Sequence, residues 1–493
     1  MVMCRRCAAS CVSGSRRRIG LWVVANRVVA FMLGRVGSMA MKESGLRNRH
    51  QLAGWGRTNP SVATVLPAGD DADLSEVVTD AGRRGVLARG LGRSYGDAAQ
   101  NAGGVVVEMT SRNRVLSVDT DTALVSLEAG VSLDQLMRVL LPMGLFVPVS
   151  PGTRQVTIGG AIAADIHGKN HHVDGSFGRH VVALDLLCAD GTIRTLGPES
   201  QLFWATVGGM GLTGVVLRAT VRMKKVESAY CLVDTERCCD LDDLMQAMAE
   251  GDHRYTYSVA WIDCLASGSS LGRSVLTRGW SATGDQLPAK LRGHALDFRP
   301  KQLAVAPPIF PSGLLNRASV MAFNEAWYRK APRERRREVQ GIGAFFHPLD
   351  GVAQWNRIYG PRGFLQYQFV VPFGAEEPLR RCIQMLSDTG QASFLAILKR
   401  FGQSSPGHLS FPAPGWALAL DVPIGSAVLG GLLDRLDEEV LAAGGREYLA
   451  KDSRLPAAAI PRMYPRLDEW RDVRQAADPD GVFTSDLARR LGL

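Results

Sequence analysis

Between residues 85 and 223 the apolar positions come in short runs, each cut off by glycine or a polar turn, a pattern that predicts strands. The runs fall at 85–90, 104–109, 115–118, 124–129, 181–187, 193–196 and 214–223. One stretch differs: 132–141 reads as a helix, with Ser132 placed to cap it and Gly144 beyond its end. Two glycine-rich stretches, one around Gly90 to Gly96 and one from Pro151 to Gly178, lie between these elements. The reading is an α+β domain whose loops dominate its chemistry.

After Glu227 the glycine clusters stop. Strands are expected at 255–261 and 364–371, and amphipathic helices at 240–249, 375–388 and 426–442. This predicts a second α+β domain, one sheet with helices on a face. The stretch 303–311 is apolar but broken by Pro307, Pro308 and Pro311, so it suits neither a helix nor a central strand. A basic run follows at 329–337, read as a loop beside a solvated helix face or, alternatively, as a disordered segment that seats on lipid. From Gly444 polar loop chemistry returns around Tyr448 and Lys451. The expected division is therefore a leader (1–50), a first domain (51–227), a second domain (228–443) and a C-terminal segment (444–493) that rejoins the first.

Charge changes the picture once it is located. Residues 1–50 hold nine Arg and one Lys against Glu43, which accounts for the whole formal net charge of +9. The remaining chain is neutral, which argues against a non-specific nucleic-acid binder. In the leader, Ser15-Arg16-Arg17-Arg18-Ile19 begins a pattern like a twin-arginine export signal, but Asn26 and Arg27 interrupt the apolar run behind it. A start at Met39 or Met41, making the leader a spurious extension, is the competing reading. The cysteines of the body show no paired C-x-x-C spacing of a zinc site.

Candidate chemistry sits in the two glycine-rich loops. In Ala88-Arg89-Gly90-Leu91-Gly92-Arg93-Ser94-Tyr95-Gly96-Asp97-Ala98, backbone N–H groups can turn toward an anion such as a pyrophosphate. Strand, not a long helix, is expected downstream, so this is no Rossmann fingerprint. In the second loop, Thr157-Ile158-Gly159-Gly160 and the small residues after it let a flat cofactor lie against the main chain. His167, Lys169, His171 and His172 follow, without a suitably spaced carboxylate or thiolate, so no metal is expected.

These loops, with the motifs RGLGRSYGDAAQN, PGTRQVTIGGAIAADIHGKNHH, LFWATVGGMGLTG, LQYQF, YLAKDSR and MYPRLDEW, resemble the vanillyl-alcohol-oxidase-type (PCMH-type) superfamily of FAD flavoproteins. Within it, the chain is similar to the branch that oxidises the ribose 2′-hydroxyl of decaprenylphosphoryl-β-D-ribose for mycobacterial cell-wall arabinan. The resemblance spans 52–493. It implies an FAD-binding domain of two α+β subdomains and a substrate-holding cap with an antiparallel sheet. It also implies roles. The loop 88–98 would wrap the pyrophosphate. Gly152, Thr157, Ile158, Gly159, Gly160, Ala164, Asp165, Ile166 and His167 would line the flavin. Gly214, Val215 and Val216 would reach the adenine side, and Tyr448 the isoalloxazine end.

Tyr95, Lys169, Trp261, Gln366, Gln368, Lys399, Phe401 and Lys451 match the family's substrate positions, and Lys451, ahead of His167, is the candidate base. Arg93 stands where relatives in the wider superfamily carry a flavin-linking histidine, so FAD is expected to be non-covalent. Ala417 and Ala419 replace an Asn and a Cys found in several relatives. The resemblance further implies an NAD(P)H-dependent keto-reductase partner, a lipid-linked sugar substrate and peripheral membrane contact. The expected location is the periplasmic face of the cell envelope, with the cytoplasm as the alternative. Competing functions are an aldonolactone or alditol oxidase of the same superfamily and a non-enzymatic flavin-binding subunit.

Overall fold

In the computed structural model, residues 48–391 and 393–493 are described; nearly all of the leader read above lies outside them. Strands Ser61–Pro67, Val105–Glu108 and Val86–Arg89 form a parallel sheet in that order. Helix Asp71–Thr79 covers it, started by an Asp70–Asp73 capping box that satisfies N–H groups otherwise left open at a helix start. A second, antiparallel sheet runs Val115–Asp119, Leu124–Glu128, Val215–Arg222, Val181–Leu187, Ile193–Leu196. On it lies helix Leu133–Leu140, where Ser132 Oγ accepts from Gln135 N–H as its sequence position foretold. That helix buries Leu133, Leu136, Met137 and Leu140 on one face.

The cap is built on one eight-stranded sheet. Its order is Glu334–Gly341, Tyr230–Cys238, Ser274–Ser281, Tyr257–Ile262, Ala396–Phe401, Gly415–Pro423, Phe364–Pro372, Arg446–Glu447. Helices Leu241–Gly251, Glu376–Thr389 and Leu429–Ala442 cover one face, burying Leu244, Leu379, Leu386 and Leu436. The opposite face is turned to the site. All three helices match the expected stretches within a few residues, whereas Tyr230–Cys238, Ser274–Ser281, Ala396–Phe401 and Gly415–Pro423 were not expected as strands. The C-terminal segment adds the last strand to this sheet. It then returns to the first domain, where Val86 N–H donates to Val482 O (2.8 Å) and Trp470 Nε1 to Ala205 O (3.0 Å).

The basic run corrects an expectation. It is not disordered: Arg329 and Lys330 close helix Arg317–Lys330, and from Glu334 the run becomes the sheet's edge strand Glu334–Gly341. Pairing with Tyr230–Cys238 fixes it, and ion pairs of Arg336 with Glu334 (2.6 Å) and Glu236 (3.0 Å) hold it down. Most of the stretch 303–311 does stay exposed, Leu303 and Ile309 at 77% and 78%; Ala304–Val305 pairs with Val352–Ala353 and Ala306 beside it is buried.

Candidate active site

One cavity of about 970 Å³ opens between the first domain and the cap. Its first wall is the loop after Val86–Arg89. Ala88 to Tyr95 and Ala98 line it; Gly96 and Asp97, expected there too, do not. Gly96 abuts Asp452, whose carbonyl a Cβ would meet at 2.0 Å, and Asp97 is spent on an ion pair with Arg490 (2.7 Å). Gly90 has no alternative either, since a Cβ there would reach Thr157 Oγ1 at 2.1 Å. Gly92 takes φ +63°, which glycine adopts without strain. Arg93 stacks on Trp55, its guanidinium carbon 4.2 Å from the ring centre, and donates to Leu91 O (2.7 Å).

The second wall is the start of helix Ile158–Ala163, capped by Thr157. Gly152, Thr157, Gly159, Gly160, Ala164, Ile166 and His167 line the cavity, as do Gly214, Val216 and Tyr448. Ile158, Asp165 and Val215, expected with them, are buried and do not line the cavity. Asp165 is fully buried and accepts from Ser176 Oγ (2.7 Å), Ser410 Oγ (2.7 Å) and Gly178 N–H (2.8 Å), locking the loop's shape.

The third wall is the cap sheet with the C-terminal turn. Tyr95, Lys169, Trp261, Gln366, Gln368, Lys399 and Lys451 converge here. Phe401 does not reach the cavity; it packs edge-on against the His167 ring at 4.8 Å. Alternation along the strands explains the convergence, since cross-strand partners share a face. Gln368 pairs with Ala419, Ala419 with Ile397, and Lys399 with Ala417. Both alanines thus sit on the cavity face, where an Asn and a Cys would project into or beside the site.

Electrostatics set the site apart. Burial lowers the Lys451 ammonium to about 7, opposed by Asp421 and helped by Lys399. Burial and Lys399 bring Lys169 to about 7, and burial alone brings Lys399 to about 8. Burial and the neighbouring lysines hold His167 well below the usual imidazole range. His167 Nε2 pairs with Gln368 Nε2 (2.8 Å), while its Nδ1 is buried with no hydrogen-bond partner among the described residues. Lys451 Nζ lies 4.0 Å over the Tyr95 ring. Its neighbour Asp452 is turned to Arg490 (2.9 Å), so a Lys451–Asp452 pair is not how the lysine is used.

Asp421 is the site residue that reading the sequence missed. It is fully buried on strand Gly415–Pro423, accepts from Gln366 Nε2 (2.5 Å), and burial lifts its carboxyl to about 7. A signal was present: 417, 419 and 421 alternate onto the cavity face, and a carboxylate at the third of these positions has no structural need.

Residues that fit FAD are those of the first two walls. The glycine-lined loops permit close approach, and the unpartnered His167 Nδ1 offers a polar atom at the wall. Comparison with known proteins agrees. Residues 62–197 match the FAD binding domain family, and 433–491 match the D-arabinono-1,4-lactone oxidase family. The decaprenylphosphoryl-beta-D-ribose oxidase of Mycolicibacterium smegmatis is 52% identical over 90% of this chain and 97% of its own length. More distant relatives are the L-gulono-1,4-lactone dehydrogenase of Mycobacterium tuberculosis and the alditol oxidase of a Streptomyces species. Each is 24% identical; they match 87% and 83% of this chain and 95% and 90% of their own lengths. The cofactor is FAD and the protein is an oxidoreductase: the chain belongs to the decaprenylphosphoryl-β-D-ribose oxidase family of FAD-binding proteins.

Proposed function

We propose that this chain oxidises the ribose 2′-hydroxyl of decaprenylphosphoryl-β-D-ribose to the 2′-keto sugar. A separate NAD(P)H-dependent keto-reductase then completes epimerisation to the arabinose form. The observation that carries this reading is the convergence of Lys169, Lys399 and Lys451 on one cavity wall with Gln366 and Gln368 between them. Burial lowers all three amines and Lys399 further lowers both Lys169 and Lys451, so a phosphate among them would relieve that repulsion. A neutral lactone or alditol would not. The match of 433–491 to a lactone oxidase family favours the second reading, a soluble sugar-derived substrate. Anaerobic mixing separates the two. Lipid-linked ribose should bleach the flavin and free aldonolactones or alditols should not; the reverse pattern would overturn the proposal.

Bound FAD supplies the hydride acceptor. The protein's share is to hold the sugar and take its hydroxyl proton. Lys451, neutral in part near pH 7, accepts that proton at Nζ, and Tyr95 beneath it fixes the amine's position. Gln366, anchored to Asp421, and Gln368, anchored to His167, present their remaining amide valences to the sugar. The cap sheet covers the site and excludes water.

FAD is held without a covalent bond, because Arg93 occupies the linking position and is committed to Trp55. Acid precipitation should therefore release all the yellow colour into the supernatant. A flavinylated peptide in the mass spectrum would sink this claim.

A lipid-linked substrate places the enzyme at a membrane surface, and the periplasmic face of the envelope is the compartment proposed. Among the described residues no helix is long and apolar enough to cross a membrane. Docking is assigned to exposed Leu303 and Ile309 together with Lys330, Arg333 and Arg337, which form no ion pair among the described residues. Each such cation near an anionic leaflet contributes about 1 kcal/mol. Replacing Lys330, Arg333 and Arg337 by Gln should weaken co-sedimentation with vesicles of anionic phospholipid, most visibly at low salt. Unchanged sedimentation would dispose of this face.

A further inference from the structure

The cavity does not stop at the lysines. It continues outward along the same face of the cap sheet, and its chemistry changes on the way. Beyond Lys399 and Gln368 the lining becomes Ile397, Trp261, Val275, Val259, Thr277 and Thr235. These residues are not scattered. Ile397 pairs with Trp261, Trp261 with Val275, Val259 with Thr277, and Thr277 with Thr235 across four adjacent strands. Cross-strand partners project on one side of a sheet, so the row is a continuous, uncharged floor. Val259 and Val275 are buried. Arg237, the partner of Val275 on the next strand, lies over the Tyr328 ring and does not line the cavity.

The row ends at the sheet's edge. Thr235 pairs with Arg335 of strand Glu334–Gly341. There Trp327 and Pro332 close one side of the mouth, and Trp327 is itself 44% exposed. On helix Arg317–Lys330 the exposed Phe323 stacks with Trp327 at this mouth, their ring centres 6.0 Å apart. At the usual spacing of roughly 4.8 Å per strand, the distance from the Gln368 strand to the edge strand is about 29 Å. Such a path is cationic and amide-lined at its inner end, uncharged from Ile397 to Thr235, and charged again only at its mouth, where Lys330, Arg335 and Glu338 line it; that is the polarity of a phosphorylated head followed by a hydrocarbon chain.

We propose that this row seats the isoprene units nearest the phosphate, and that the chain leaves the protein between Trp327 and Arg335 toward the lipid. The inference rests on the substrate class proposed above and adds where its tail binds and how much of it the protein touches. Each isoprene unit moved from water onto such a floor adds buried apolar surface and so tightens binding. Affinity should therefore climb with the first isoprene units and level off once the floor is full.

The test needs no variant at first. Anaerobic flavin reduction is followed with ribosyl phosphates carrying one, two, four, six and ten isoprene units, at fixed detergent. KM should fall by tenfold or more over the first few units and then plateau. Equal KM from one unit upward overturns the proposal, as does a fall that continues without plateau, the mark of simple partitioning into micelles. A second measurement uses Thr277→Trp and Thr235→Trp, checked for flavin content. Each should reduce the preference for the ten-unit over the one-unit substrate by about tenfold. A preference equal to that of the unaltered chain overturns the groove. If no ribosyl phosphate of any length reduces the flavin, the proposed function itself has failed and the groove falls with it, a result distinct from all the others.

Discussion

Lys451→Ala retains its flavin spectrum but loses flavin reduction by lipid-linked ribose by roughly 10²–10⁴-fold, the range for removing a general base. The expectation rests on the amine's surroundings. Lys451 follows strand Arg446–Glu447 in a turn closed by its own N–H on Tyr448 O (2.8 Å), and Tyr95 N–H donates to Ala450 O (3.0 Å). That pairing ties the turn to the first loop and sets Nζ over the Tyr95 ring. Burial lowers its pKa to about 7, while Asp421 works the other way.

The pH dependence distinguishes a base from a charged clamp. A base must be neutral, so reduction should rise with pH through about 7 and level off above it. A lysine acting only through its charge gives the opposite sign, a rate that falls as pH passes 7. His167 cannot mimic the rising limb, since its imidazole titrates well below the usual range and stays neutral throughout. In Lys451→Ala the limb itself should vanish, and small primary amines added to the buffer should restore part of the rate. A variant with near-normal reduction would shift the role to another group.

Much of this site was legible because the motifs lie in loops whose composition is unusual. Glycines at 90, 92, 159 and 160 leave few alternatives to a close-approach cradle, and the structure lines the cavity with all four. Less legible was anything decided by burial on both sides. Gly415–Pro423 carries Ala-Leu-Ala-Leu-Asp, which reads weakly as a strand until its neighbours are known, yet it places Asp421 behind Gln366. Glu334–Gly341 fails the usual test altogether, since its charges suit a solvated surface. Edge strands tolerate such charges because only one side is paired, and Asp234 and Glu236 on the adjacent strand supply the counter-ions. The role of the Asp97 carboxylate was illegible for a related reason: it lies in the glycine loop, and its partner is 393 residues away.

That partner carries the largest expected effect on stability. Arg490 lies on the C-terminal helix Asp486–Leu491 and forks onto Asp97 with two bonds, 2.9 and 2.7 Å. Its Nη1 donates to Leu455 O (2.9 Å), and its Nη2 lies 2.9 Å from Asp452 Oδ2, close but without hydrogen-bond geometry. Asp452 Oδ1 in turn accepts from the Arg454 and Leu455 N–H groups, 2.7 and 2.8 Å. One guanidinium therefore joins the glycine-rich loop 88–98 to the turn that carries Lys451. Both carboxylates are buried, so Arg490→Ala leaves two charges without a counter-ion. Breaking a buried pair in this way costs about 3–5 kcal/mol, against about 1 kcal/mol or less for an exposed one. The apparent Tm should fall by roughly 3–5 °C, with weaker FAD retention because both loops loosen. Adding Asp97→Asn and Asp452→Asn to the same chain removes the orphaned charges and should recover a large part of the loss. That recovery is the discriminating measurement: if the triple variant is no more stable than Arg490→Ala, the arginine acts through its packing on Leu455 and its surroundings, and the charge argument is wrong.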